Sequence, residues 1–148
     1  MRLLFLSLFM LAAAEQPIPY SHKKHVAMGL DCAGCHTAPG KGEAATFPAE
    51  STCMKCHVAV KKDSPAIQKL VEYVKKKDPV PWVRVYKLPN YVWFSHKAHA
   101  KAACAKCHGD VGALDVMVKE KQIDMNSCMG CHDEHNAPNE CNFCHNPA

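Results

Sequence analysis

The sequence predicts a small, mostly irregular and α-helical fold whose own apolar residues supply only part of its core. Three observations carry that expectation. The 148 residues hold ten cysteines and ten histidines, far above ordinary usage. Every cysteine falls in a C-x-x-C pair with histidine directly after it. Only one stretch, about residues 64–77, shows clear helical periodicity, and Gly, Pro and Lys break the rest at short intervals.

The chain opens with Met1 and Arg2, an apolar run from Leu3, and the small residues Ala12, Ala13 and Ala14. A positive start, a short apolar stretch and a small-residue end predict a secretory signal peptide over 1–14, cut after Ala14. The apolar run is short of the ~20 residues that a spanning helix needs. No other segment is long and apolar enough to span, so the mature chain is expected to lack a transmembrane helix of its own. Export to the periplasm or the extracytoplasmic side of a membrane follows, and one domain is expected over 15–148.

Cysteine in an oxidising compartment ordinarily reads as a disulfide framework. The spacing argues otherwise. The runs are Cys32-Ala33-Gly34-Cys35-His36, Cys53-Met54-Lys55-Cys56-His57, Cys104-Ala105-Lys106-Cys107-His108, Cys128-Met129-Gly130-Cys131-His132 and Cys141-Asn142-Phe143-Cys144-His145. C-x-x-C-H is the attachment signature of c-type haem: two thiols add to the vinyl groups of one porphyrin, and the histidine presents a nitrogen to the iron. A disulfide framework does not require histidine after each pair, and neither does a zinc ribbon. A thioredoxin-like redox site would use one such motif rather than five. The reading is five covalent haem c groups, with His36, His57, His108, His132 and His145 as proximal ligands.

Five histidines remain: His22, His25, His96, His99 and His135. Their number equals the number of irons needing a second axial ligand. His22 and His25 form an H-x-x-H before the first motif, and His96 and His99 repeat it before the third. A spacing of three sets both rings on one side of a helical turn, close enough to serve two neighbouring haems. His135 stands alone, and Met28, Met117 and Met125 compete with it, since a thioether also ligates haem iron. Two histidines on every iron would leave no open coordination position, which favours electron transfer over catalysis, and no catalytic residue is assigned.

The chain divides into two half-repeats, about 20–62 and 94–147, each an H-x-x-H followed by haem motifs. Ser95-His96-Lys97-Ala98-His99 echoes Ser21-His22-Lys23-Lys24-His25. Between them Ser64 is a good N-cap and Pro65 suits the first helical position. Ile67, Leu70, Val71 and Val74 then follow helical spacing, a stripe expected to pack on porphyrin or on the opposite half. Lys75, Lys76 and Lys77 suit the helix C-terminus, and Asp78-Pro79 stops it. Over 82–94 the alternation in Val83-Arg84-Val85-Tyr86-Lys87, the turn-like Leu88-Pro89-Asn90 and the run Tyr91-Val92-Trp93-Phe94 allow two readings: a short β-hairpin, or an extended strand lying over haem.

Size sharpens the picture. About 134 mature residues serve five haems, roughly 27 each, in a domain of roughly 14 Å radius of gyration. The porphyrins must then lie close together and fill much of the core, and the haem-free chain is not expected to fold. The formal net charge is +4, but ten propionates would make the loaded protein acidic, with the runs Lys23-Lys24, Lys61-Lys62 and Lys75-Lys76-Lys77 as counterweight. Redox proteins are the expected partners. Nucleic acid is not, outside the cytoplasm.

H-x-x-H followed by C-x-x-C-H resembles the class III multihaem cytochromes c, small carriers with several haems. The run from Pro81 through Trp82, Tyr86, Asn90 and Trp93 to His96, together with Thr52-Cys53-Met54-Lys55-Cys56-His57 and Cys107-His108-Gly109-Asp110-Val111, resembles the pentahaem subunit of alternative complex III, a membrane-bound quinol oxidase module. The likeness covers roughly residues 20–132. Met125-Asn126-Ser127 replaces the Met-Gly-Trp found there before the fourth motif, and no membrane helix follows the fifth, which points to a free-standing relative. The resemblance implies that His22 ligates the haem of His36 and His96 that of His108, with His25 and His99 reaching other haems. It also implies electron exchange with a membrane quinol oxidoreductase, either as a soluble carrier or as a bound subunit, in which Trp82, Tyr91 and Trp93 would either dock or cover haem. Pentahaem nitrite reductases use C-x-x-C-K at their open iron, and this sequence has none.

Overall fold

The computed structural model describes residues 15–37 and 45–145. The predicted leader over 1–14 lies outside them. Six short helices and one 3-10 turn follow in chain order: α1 His22–Val26, α2 Glu50–His57, α3 Pro65–Lys76, α4 Cys104–His108, the 3-10 turn Val111–Ala113, α5 Met125–Glu134 and α6 Cys141–His145. Among the described residues there is no β-strand.

α3 forms as its sequence dictates. The Ser64 hydroxyl accepts from the Ile67 N–H at 3.3 Å, Pro65 opens the helix, and Lys77 ends it in the left-handed conformation at φ 56°. Its apolar stripe meets α2 and the segments around Ile18 and Val80 rather than the second half-repeat. Ile67 and Leu70 bury against Ile18 and Val80, with Cys53 and Met54 of α2, Tyr73 and Trp82 around them. Val74 stays exposed. α5 is closed at its start by a reciprocal cap: the Ser127 N–H donates to the Asp124 carboxylate at 2.8 Å and the Asp124 N–H to the Ser127 hydroxyl at 3.0 Å.

Among the described residues those four are the buried apolar core, and all four lie before residue 81. α4, α5 and α6 bury nothing fully. Of the two readings for 82–94 the hairpin is not formed. Instead side chains supply what a partner strand would have given. The Gln16 amide donates to the Val83 carbonyl at 2.9 Å and accepts its N–H at 3.0 Å. The Tyr86 hydroxyl accepts the N–H groups of Glu120 and Lys121 at 3.0 and 3.2 Å and donates to the His108 carbonyl at 3.1 Å. Period-two alternation reports an extended backbone with two unlike faces, and a side-chain amide or phenol can satisfy that backbone as well as a neighbouring strand can.

Candidate functional site

The site is a row of histidines set in facing pairs. Ser21 caps α1 by accepting the Lys24 N–H at 3.1 Å, and its hydroxyl donates to Asp115 at 2.7 Å, fixing the turn against the 3-10 segment. His22 and His25 therefore project from one anchored turn. His22 lies over His36, ring centres 6.3 Å apart and planes 18° from parallel. His25 lies over His57 at 6.1 Å and 65°.

The second H-x-x-H repeats this. It is a hydrogen-bonded turn, with the His99 N–H donating to the His96 carbonyl at 3.2 Å. His96 lies over His108 at 6.2 Å and 5°, and His99 over His132 at 5.9 Å and 32°. In each half the first histidine meets the next motif and the second meets the motif after it. An aromatic residue precedes each turn and holds both rings. Tyr20 meets His22 edge-on at 4.9 Å and stacks on His25 at 4.4 Å. Phe94 meets His96 edge-on at 4.8 Å and stacks on His99 at 4.5 Å. Sequence reading passed over these two rings, although the signal was present: the echo extends one residue back, to an aromatic before each serine.

The spacing has a physical meaning. Two metal–nitrogen bonds of about 2 Å, plus about 1.2 Å from each ring nitrogen to its ring centre, would give a separation of about 6.4 Å across a six-coordinate iron. The four pairs lie just under that value, too far apart for direct imidazole contact. The tautomers of five rings agree, whereas Nδ1 of His96 instead accepts the Ala45 N–H. Nδ1 of His25 donates to the Ser21 carbonyl at 2.8 Å, and Nδ1 of His99 to the Ser95 carbonyl at 2.8 Å. Nδ1 of His36 donates to Thr46, of His57 to Val60 and of His132 to Pro138, at 2.9, 2.9 and 2.6 Å. A ring that gives its Nδ1 proton to a carbonyl keeps the Nε2 lone pair for a metal. Burial, with His36 and His25 beside it, lowers the pKa of His22, and burial with His96 and His36 lowers that of His108. Both effects favour the neutral, ligating ring. Nδ1 of His22 is a buried nitrogen without a hydrogen-bond partner, the kind of orphan that calls for a further group in the site.

No disulfide joins any of the ten cysteines. Thiols of different motifs approach one another. Burial pushes the Cys53 thiol up and neighbouring Cys35 adds to it. Cys32 is raised by burial and by Cys104 beside it, and Cys128 by burial with Cys107 and Cys144 nearby. Tyr20, at the junction of the first two motifs, is pushed up to about 12 by burial and by the Cys35 and Cys53 thiols. The motifs thus follow one another in space in the order second, first, third, fourth, fifth, and the loop after the first motif meets the second H-x-x-H where the Ala45 N–H donates to Nδ1 of His96 at 3.2 Å.

His135 and His145 are not brought together. His135 is the C-cap of α5 and exposed, and among the described residues no ring lies against it. His145 has Tyr91 as its ring neighbour, at 5.9 Å. Met28 and Met125 are exposed, at 67% and 60%. No described helix is long and apolar enough to cross a membrane.

Comparison with known proteins accords with this geometry. The multihaem cytochrome c subunit of menaquinone reductase from Nitratidesulfovibrio vulgaris Hildenborough is 40% identical over 96 residues, 64% of this chain and 46% of the relative. The matched stretch is thus less than half of that relative's length. The sequence also matches a family described as cytochrome c7 and related cytochrome c, over residues 18–77 and 92–146. By that match over most of its length the chain belongs to this family, and it is a multihaem cytochrome c that carries electrons on covalent haem.

Proposed function

We propose that the chain holds five haem c groups and exchanges electrons with a membrane quinone oxidoreductase on the extracytoplasmic side of its membrane. The observation that carries this reading is the pair of H-x-x-H turns, each setting two imidazoles opposite two motif histidines at 5.9 to 6.3 Å. The thiols of Cys32 and Cys35, Cys53 and Cys56, Cys104 and Cys107, Cys128 and Cys131, and Cys141 and Cys144 would each hold one porphyrin. His36, His57, His108, His132 and His145 would bind the irons from the attachment side. His22, His25, His96 and His99 would close the second face of four of them.

Bound haem supplies a one-electron ferric–ferrous couple. The chain's own residues do the rest. Facing imidazoles held by carbonyl bonds change little with iron charge, which keeps reorganisation on electron transfer small. Histidine on both faces favours a low potential, in the range that suits a menaquinone partner. The two ends of the spatial row, the second and fifth motifs, are the surfaces left for partners. The leader-like 1–14 segment and the covalent haems support export. The alternative, a fixed subunit of a quinone-handling complex, is favoured by the likeness to the menaquinone reductase subunit.

Expression in a host that matures c-type cytochromes, followed by intact-mass measurement, tests the count. Five haem increments on a polypeptide beginning at Glu15 are expected. Fewer than five overturns the reading. Mixing the purified protein with quinone-containing membranes then separates the two alternatives: rapid exchange by the free protein supports the carrier, and exchange only within a co-purifying complex supports the subunit.

A further inference from the structure

We infer that the iron held at Cys141, Cys144 and His145 keeps one face open and binds a small exogenous ligand there, unlike the other four. This rests on the five-haem reading above. The histidine count forces the question. Eight of the ten histidines stand in four facing pairs. The fifth motif must find its second ligand elsewhere, and His135 is the one histidine left.

His135 is tied to the fourth motif. Its backbone N–H donates to the carbonyls of Cys131 and His132, both at 3.2 Å, so it closes the last turn of α5. Directly after it Asn136 adopts φ 52°, and the Ala137 N–H returns to the His132 carbonyl at 2.8 Å. The turn thus leads the chain back toward the proximal carbonyl of the fourth motif, with the His135 ring exposed.

α6 is nevertheless seated like a working motif. The Trp93 N–H donates to the Cys144 carbonyl at 2.8 Å, pinning the helix beside the second H-x-x-H. Nδ1 of His145 faces the Tyr91 carbonyl at 3.4 Å, which leaves Nε2 for iron. Among the described residues one imidazole serves this motif and none faces it, which describes an iron with a single histidine from this chain. The ligand class that fits is a small uncharged π-acceptor on ferrous iron or a small nitrogen base on ferric iron, and binding adds one coordinate bond without any change in redox state.

The test uses the mature holoprotein. Carbon monoxide added after dithionite reduction should shift about one fifth of the Soret amplitude. The ferric protein should show one high-spin electron paramagnetic resonance signal that imidazole converts to low spin. His135→Ala should leave both responses unchanged. Cys141→Ser with Cys144→Ser should remove both and lower the mass by one haem. A protein with five haems that ignores carbon monoxide overturns the inference while leaving the five-haem reading standing. So does a His135→Ala variant that gains a response absent from the parent, because His135 would then be the missing ligand. Fewer than five haems in the parent instead sinks the reading on which the inference rests.

Discussion

The two halves of the molecule carry the same histidine scaffold on different foundations. Around Tyr20-Ser21-His22 and Phe94-Ser95-His96 the ring stackings agree to within a few tenths of an ångström. Yet beside the first lies the core of Ile18, Ile67, Leu70 and Val80, while among the described residues the second buries no apolar side chain fully. A histidine scaffold can thus be kept while the protein core beneath it is dispensed with, provided that something else fills the space. With haem on the three motifs of the second half, as proposed, that filler would be porphyrin.

The contrast can be broken most severely by withholding haem from one half. Cys104→Ser with Cys107→Ser should leave residues 94–145 open to protease while the region around α3 keeps some protection; equal protection of both halves would erase the contrast. Next in size is the packing itself. Leu70 is 4% exposed, and Leu70→Ala should cost about 3 kcal/mol in denaturant unfolding of the holoprotein. A loss under about 1 kcal/mol would mean that haem, not this core, also supports the first half.

The subtlest difference lies in the ring planes. Parallel imidazoles donate into the same iron dπ orbital and split the pair, whereas crossed ones raise both nearly equally. The 65° crossing of His25 and His57, against 32° for His99 and His132, predicts that the most axial low-spin resonance belongs to the first half. It should vanish in His25→Ala and persist in His99→Ala.

Much of this was legible in the sequence. The H-x-x-H spacing foretold which rings share a turn because side chains three apart in a helical turn are neighbours whatever surrounds them. Ser64 and Pro65 foretold where α3 begins because capping is local chemistry. What was left open depended on distant partners. Val83 and Val85 alternate like a strand, but Gln16, far away in sequence, supplies the bonds. Tyr86 gave no hint that it would gather three backbone groups from 108–121. His135 matched the ligand count, and counting is blind to where the chain turns. The Thr46, Val60 and Pro138 carbonyls that orient the proximal rings are backbone atoms, which carry no residue signature.

Each H-x-x-H turn answers to two motifs at once, so a backbone error there would misplace two rings together, whereas an error within one C-x-x-C-H is confined to its own haem. The two middle positions escape this constraint. Lys23 and Lys24, like Lys97 and Ala98, lie on the exposed side of their turns. At Lys24 and Ala98 charge can therefore change beside the facing histidine pairs while the rings keep their places, and evolution has a dial for choosing whom the protein meets that is separate from the machinery it must preserve.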